Sequence, residues 1–246
     1  MIYHAKKGQV NYGSTIGILM LDSHIPFIPG DMGNAATFSF PVHYKKVDGL
    51  TVKQMYEDRE AVLPKVVSAG KQLIAESGVK AITGNCGYLL LFQQELASSL
   101  KVPVFMSSLL QLCMMEKIID TSNQKIGIIT AESYRLHTKM LHAAGIKPES
   151  VYVKGLENTS HFAGVAIQET GILNKQLMEQ EVVEAAAEMI TEHPDMSILL
   201  LECSLLSPYS KAVQEKIQRP VFDYVTMINF VFESFIKKEF TGFTFN

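Results

Sequence analysis

The sequence predicts an α/β protein of two pseudo-symmetric lobes. Each lobe is expected to be a mainly parallel sheet flanked by helices, with an active-site cleft between them. Three observations carry this expectation. Short, β-branched apolar runs alternate with longer segments of helical period. Stretches of the first half recur in the second at fixed spacing. The composition, 47% hydrophobic and 19% charged over 246 residues, is that of a chain able to bury a large core.

The elements follow in order. Residues 15–21 read as a strand, followed by a long loop over 22–36 that holds Pro26, Pro29, Gly30 and Gly33. Residues 38–44 suggest a strand whose centre is demoted by Pro41. Residues 56–77 have helical period and end at Gly78, a C-terminal cap. Strand 79–83, helix 91–100, strand 102–106 and helix 109–120 complete the first half. After the turn at 122–124 the rhythm restarts: strand 125–130, helix 133–144, strand 150–155, helix 174–192, strand 196–201, helix 208–218, strand 221–222 and helix 227–238. Strands alternating with helices imply parallel sheets covered on both faces. The expected division is residues 1–120 plus 221–246 for the first lobe and 121–220 for the second.

The internal repeat is the most informative feature. With Cys86 laid on Cys203, Leu89 falls on Leu206, Phe92 on Tyr209, Leu96 on Val213 and Leu100 on Ile217. Pro103-Val104-Phe105 then falls on Pro220-Val221-Phe222 without a gap. A second register lays Ile16-Gly17-Ile18 on Ile126-Gly127-Ile128 and Asp22-Ser23 on Glu132-Ser133. Generic α/β patterning accounts for the apolar matches but not for a cysteine at the same strand end in both halves.

Charge and motifs exclude several classes. A formal charge of −3 argues against a nucleic-acid footprint, which needs a dense basic face. The longest apolar runs, such as 198–201 and 230–236, are too short to span a bilayer, and the N-terminal residues lack the pattern of a signal peptide. Three widely spaced cysteines make no disulfide framework, which suits a reduced, cytoplasmic protein. No zinc spacing, phosphate loop or dinucleotide fingerprint occurs. The expected partner is a small-molecule substrate, with no nucleic acid or membrane, and a homodimer or higher homo-oligomer fits.

The cysteines divide into two kinds. Cys113 lies among Leu110, Leu112, Met114 and Met115 and reads as core. Cys86 and Cys203 each end an apolar strand and open a loop before a helix, where α/β proteins present functional groups. Gly84 and Gly87 flank Cys86 and allow close approach of a ligand to the backbone. Two thiols brought face to face by pseudo-symmetry suit one chemistry. One thiolate removes a proton from a carbon acid and the opposing thiol returns one to the other face. Asn85, Thr83, Ser204 and the loop amides are placed to stabilise the enolate.

These residues resemble the aspartate/glutamate racemase superfamily, which includes glutamate, aspartate and hydantoin racemases, maleate isomerases and arylmalonate decarboxylases. The resemblance covers nearly the whole chain. It is carried by Ile16-Gly17-Ile18 leading to Asp22-Ser23, Thr83-Gly84-Asn85-Cys86-Gly87, Ile126-Gly127-Ile128-Ile129-Thr130, Leu201-Glu202-Cys203-Ser204 and Pro220-Val221-Phe222-Asp223. It implies a cofactor-free, metal-free isomerase, an amino-acid racemase or epimerase, with Cys86 and Cys203 as the two bases. It implies Asp22 and Ser23 as residues assisting at the first loop, with Asn85, Gly87 and Ser204 beside the thiols and Thr130 and Ser133 lining the mirror-image loop. The neighbours of the cysteines depart from the amino-acid racemases: Gly87-Tyr88 stands where Asn-Thr is usual, and Ser204-Leu205 follows Cys203. The proton-transfer pair is kept while the substrate holders are changed, which points to a different carbon acid. A maleate-type isomerase or decarboxylase using one cysteine, and a non-catalytic binding protein, are the alternatives. Glu202 is expected to point away from Cys203 by strand alternation, and Asp223 to cap the last helix.

Overall fold

In the computed structural model, residues 1–242 are described; residues 243–246, the end of the expected first lobe, lie outside the described residues. The strands are β1 (Ile16–Met20), β2 (Val42–Lys46), β3 (Ala81–Gly84), β4 (Lys125–Thr130), β5 (Val151–Gly155), β6 (Met196–Leu201) and β7 (Val221–Phe222). The α-helices are α1 (Val52–Glu57), α2 (Arg59–Ser77), α3 (Gln93–Ser99), α4 (Leu112–Lys117), α5 (Thr138–Ala143), α6 (Ser160–Ala166), α7 (Lys175–Glu192), α8 (Ser210–Ile217) and α9 (Tyr224–Phe235). They build two parallel sheets, ordered β2-β1-β3 and β5-β4-β6-β7. No helix among the described residues is long and apolar enough to cross a membrane.

The two sheets repeat one plan. In each, the first strand of the half is central and the strand ending before a cysteine lies beside it. The Ile82 N–H donates to Pro103 O at 3.0 Å, and the Leu199 N–H donates to Pro220 O at 2.9 Å. The repeat register lays these two bonds on each other. Both central strands are buried along nearly their whole length, which is why they read as unbroken apolar runs. Their Ile-Gly-Ile centres let a helix pack closely. A side chain at Gly17 would meet Leu73 of α2, and one at Gly127 would meet Met189 of α7.

Local chemistry explains where elements begin and end. β2 starts after Pro41, which cannot donate to a ladder. The expected helix over 56–77 is two helices broken at Asp58, whose φ −141, ψ 53 leaves the helical region. Gly78 closes α2 in the left-handed conformation at φ 66, as a glycine cap should. Asn174 caps α7 by accepting the Gln176 and Leu177 N–H groups. Asp223 caps α9 by accepting the Thr226 N–H, as expected.

The structure corrects several expectations. The strand over 102–106 reduces to a single parallel bridge between Ile82 and Val104. Val221 and Phe222 pair with β6 in the second sheet, so the chain returns to the first lobe only after Phe222. There α9 packs Tyr224, Met227 and Ile228 against Ile16, Ile18 and Phe105. Helix α6 has no counterpart in the sequence reading; its seven residues, with only three buried, give too short a stripe to stand out. Cys113 is exposed. Its thiol donates to Ala144 O at 3.2 Å, so it lies on the outer side of α4.

Candidate functional site

Each cysteine sits two residues beyond a buried strand and opens a short six-residue 3₁₀ helix. Cys86 follows β3 and caps the turn Gly87–Phe92; Cys203 follows β6 and caps the turn Ser204–Tyr209. The Leu89 N–H donates to Cys86 O, and the Leu206 N–H donates to Cys203 O, each at 3.0 Å. The backbone N–H two residues on, of Tyr88 and Leu205 respectively, favours the thiolate in each case. The two thiols therefore stand in equivalent backbone cradles.

They share one narrow cavity of about 60 Å³ at the junction of the lobes. Cys86, Cys203, Ser23, Asn85, Gly87 and Ser204 all line it, as expected from the sequence. Apolar side chains from the first loop, Ile25 and Phe27, form part of its wall. The two cysteine loops are tied together where the Ser204 hydroxyl donates to Asn85 O at 2.9 Å. The Asn85 side chain in turn accepts the Leu21 N–H at 2.8 Å, fixing the end of the first strand.

Three expected residues are placed otherwise. Asp22 does not line the cavity: its carboxylate accepts the Gly49 N–H at 2.9 Å and pairs with Lys46 at 3.1 Å. Those bonds hold it below the ordinary carboxylate range and anchor the loop from outside. Ser133 is spent on Glu157, to which its hydroxyl donates at 2.5 Å. Thr130 is fully buried behind the cavity wall and donates to Glu202 Oε2 at 2.8 Å.

Glu202 is the main correction. It lines the cavity and is 1% exposed. Strand alternation fails to orient it because β6 ends at Leu201, one residue earlier. Its Oε1 is buried with no hydrogen-bond partner. A side chain on Gly87 would overlap that oxygen, so the glycine after Cys86 makes room for a carboxylate from the other lobe. Glu132 also faces the cavity and is held by Arg135 at 2.5 Å and by the Tyr134 hydroxyl. Tyr88, likewise overlooked in the sequence, lines the wall; its hydroxyl accepts the Glu132 N–H at 3.1 Å and lies 3.5 Å from Thr130 Oγ1. The sequence signal for Glu202 was present, because the repeat lays it on Asn85.

The electrostatics follow from burial and this acidic lining. Burial first, and then the Glu202 charge, push the Cys86 thiol up to about 12. Cys203 is raised for the same reasons, and the Leu205 N–H opposes the shift. Burial raises Glu202 to about 7 against the stabilising Thr130 bond. The resting site thus holds two neutral thiols and two carboxyls, and none of its lining residues is Lys, Arg or His. A positive group entering it gains attraction from the carboxylates and favours thiolate formation.

This backbone plan is shared with solved structures of low sequence identity. Arylmalonate decarboxylase, in its Gly74Cys mutant, superposes with a TM-score of 0.61 at 14% identity, covering 91% of this chain and 94% of that one. A glutamate racemase of Bacillus anthracis gives 0.57 at 16% identity, covering 90% and 81%. The fold is that of the aspartate/glutamate racemase superfamily. Curated relatives narrow the assignment. The chain is 32% identical over 232 residues to a dimethylsulfoniopropionate lyase of Durusdinium sp. clade D, covering 91% of this chain and 75% of that protein. It is 28% identical to dimethylsulfoniopropionate lyase 5 of Emiliania huxleyi, covering 88% of this chain and 44% of that protein. No family model matches the sequence. The chain belongs to the dimethylsulfoniopropionate lyase family.

Proposed function

We propose that this chain is a lyase that eliminates dimethyl sulfide from dimethylsulfoniopropionate, with a thiolate of the Cys86–Cys203 pair as the base. The observation that carries the reading is the lining of the cavity: two thiols and two carboxyls with no basic side chain. That lining suits a substrate which brings its own positive charge. It suits poorly a dicarboxylate, which would meet the unpaired Glu202 with the nearby cation, Arg135, already engaged by Glu132. The relatives named for the same substrate point the same way.

The chemistry needs few groups. The proton to be removed lies α to the substrate carboxylate, and the sulfonium lies one carbon further. A thiolate takes that proton, the C–H electrons form the Cα–Cβ double bond, and the C–S bond breaks with its electron pair leaving on sulfur. Dimethyl sulfide and acrylate result. A sulfonium beside the thiols favours the thiolate, and the Tyr88 and Leu205 N–H groups stabilise it. The Ser23 hydroxyl and the Gly87 and Ser204 N–H groups, at the starts of the two 3₁₀ helices, are the donors for the substrate carboxylate. This reading keeps the proton abstraction of the racemase expectation and replaces inversion with loss of a leaving group.

The experiment is headspace detection of dimethyl sulfide with parallel measurement of acrylate from purified protein and dimethylsulfoniopropionate. Equimolar products are expected. No gas above the protein-free rate would overturn the reading. The equivalence of the two thiols favours one second reading, two-base inversion of a carbon-acid stereocentre. It predicts solvent-deuterium incorporation into recovered chiral amino-acid derivatives without dimethyl sulfide.

A further inference from the structure

We propose that the Glu202 carboxylate is the proton acceptor of the paired thiols, taking the proton from Cys86 or Cys203 as the thiolate forms. The inference deepens the elimination reading and rests on it for the direction of proton flow. It begins from an unmatched set of hydrogen-bonding groups. Glu202 Oε1 is buried with no donor. Neither the Cys86 nor the Cys203 thiol donates to any acceptor among the described residues, whereas Cys113 does. All three unmatched groups line one cavity of about 60 Å³. A buried, unpaired carboxylate oxygen costs free energy, and the molecule makes room for this one by having no side chain at Gly87.

The surroundings fix Glu202 from behind and leave its front to the thiols. Thr130 holds Oε2 at 2.8 Å. The Glu202 N–H donates to Ile129 O at 2.8 Å, and the Ser108 hydroxyl donates to Glu202 O at 2.8 Å. The carboxylate thus immediately precedes Cys203 in the second lobe and abuts Gly87, the residue after Cys86, in the first. Titratable groups facing this region are Cys86 and Tyr88 at the first-lobe 3₁₀ helix, Tyr56 on α1, Glu132 after β4, Cys203 after β6, Tyr224 on α9 and Asp31 in the first long loop. Arg135, the nearby cation, is engaged with Glu132. A carboxyl raised towards neutrality by burial accepts and releases a proton at ordinary pH.

The steps balance. The thiol gives its proton to Glu202, leaving thiolate and carboxylic acid. The thiolate takes the substrate's α proton and becomes thiol again, while the electron pair leaves on dimethyl sulfide. Glu202 then releases its proton to water as product departs, and the resting pair is restored. The proton released overall is the one that elimination generates.

The test needs no substrate. Alkylation of Cys86 and Cys203 by iodoacetamide is followed against pH in the wild type, Glu202→Gln and Glu202→Asp, with peptide mass spectrometry resolving each site. In the wild type, alkylation should rise through an inflection near the Glu202 titration. In Glu202→Gln that inflection should vanish and the rate at about pH 8 fall about tenfold. Glu202→Asp should retain an inflection at reduced rate, and it carries the test should the Gln variant fail to fold. The Glu202 charge by itself raises the resting thiols; were repulsion its whole role, alkylation would be faster in Glu202→Gln, and that result overturns the proposal. An unchanged profile overturns it too. Absence of dimethyl sulfide from the wild type would instead strike the elimination reading, so the two failures are separable.

Discussion

The two lobes have nearly the same backbone around their cysteines and different chemistry one residue before them. The Asn85 N–H donates to Leu19 O at 3.1 Å, and the Glu202 N–H donates to Ile129 O at 2.8 Å. These are equivalent bonds at equivalent strand ends. Yet Asn85 turns its side chain to the neighbouring strand end, where it accepts the Leu21 N–H. Glu202 turns its carboxylate into the cavity between the lobes. The duplication therefore supplies two thiol cradles, while the divergence of one position makes a symmetric pair into an asymmetric site. The proposed elimination suits that asymmetry, since it has one proton to remove and one leaving group to expel.

The comparison can be sharpened through the buried carboxyls, where the largest effect on stability is expected. Asp31, in the first half's long loop, is fully buried with Oδ2 unpartnered. Burial raises it to about 7, opposed by the Gly33 N–H. The folded state holds this proton up to about pH 7, whereas the unfolded chain releases it near the ordinary carboxyl value of 3.8. Stability is therefore lost as pH rises between those values. Asp31→Asn should gain over wild type by up to a few kcal/mol as pH climbs through that window. Urea-denaturation midpoints measure this difference, and a gain that shrinks with rising pH would contradict the assignment. The same substitution should leave the alkylation profile of Cys86 unmoved, in contrast to Glu202→Gln, because the Asp31 charge acts on Cys203 and not on Cys86.

A smaller effect breaks the lobe contact itself. Gly87→Ala places a methyl group on Glu202 Oε1. The expected destabilisation is about 1–3 kcal/mol, typical of overpacking, with a matching loss of dimethyl sulfide formation. The partner substitution Gly87→Ala with Glu202→Gln should be no less crowded, whereas Gly87→Ala with Glu202→Ala should recover the stability. Thermal denaturation of the series measures the coupling, and additive behaviour would show that the two residues do not meet.

Much of this was legible in the sequence. The alternation of strands and helices, the repeat and the two cysteine turns follow from periodicity and spacing, because buried parallel strands and their connecting helices impose them. Cys86, Cys203, Ser23, Asn85, Gly87 and Ser204 were placed at the cavity by those same registers. The rest depended on tertiary choices that local patterns do not encode. Asp22 had Lys46 and Gly49 within reach only because β2 lies beside β1. Ser133 found Glu157 beyond the parallel strand β5. Glu202 escaped because two-residue alternation holds only inside a strand, and β6 stops before it. The proposed substrate class was beyond the sequence motifs because it rests on how the cavity lining is assembled from both lobes, with two carboxyls brought beside the thiols.

The most direct measurement is dimethyl sulfide formation from dimethylsulfoniopropionate by Cys86→Ser, Cys203→Ser and Cys113→Ser, each checked for folding. The account predicts a loss of about 10²–10⁴-fold in kcat for at least one of the first two, with Cys113→Ser, altered on the outer side of α4, close to the wild type. Wild-type turnover in both Cys86→Ser and Cys203→Ser would contradict it, because the base would then lie outside the thiol pair.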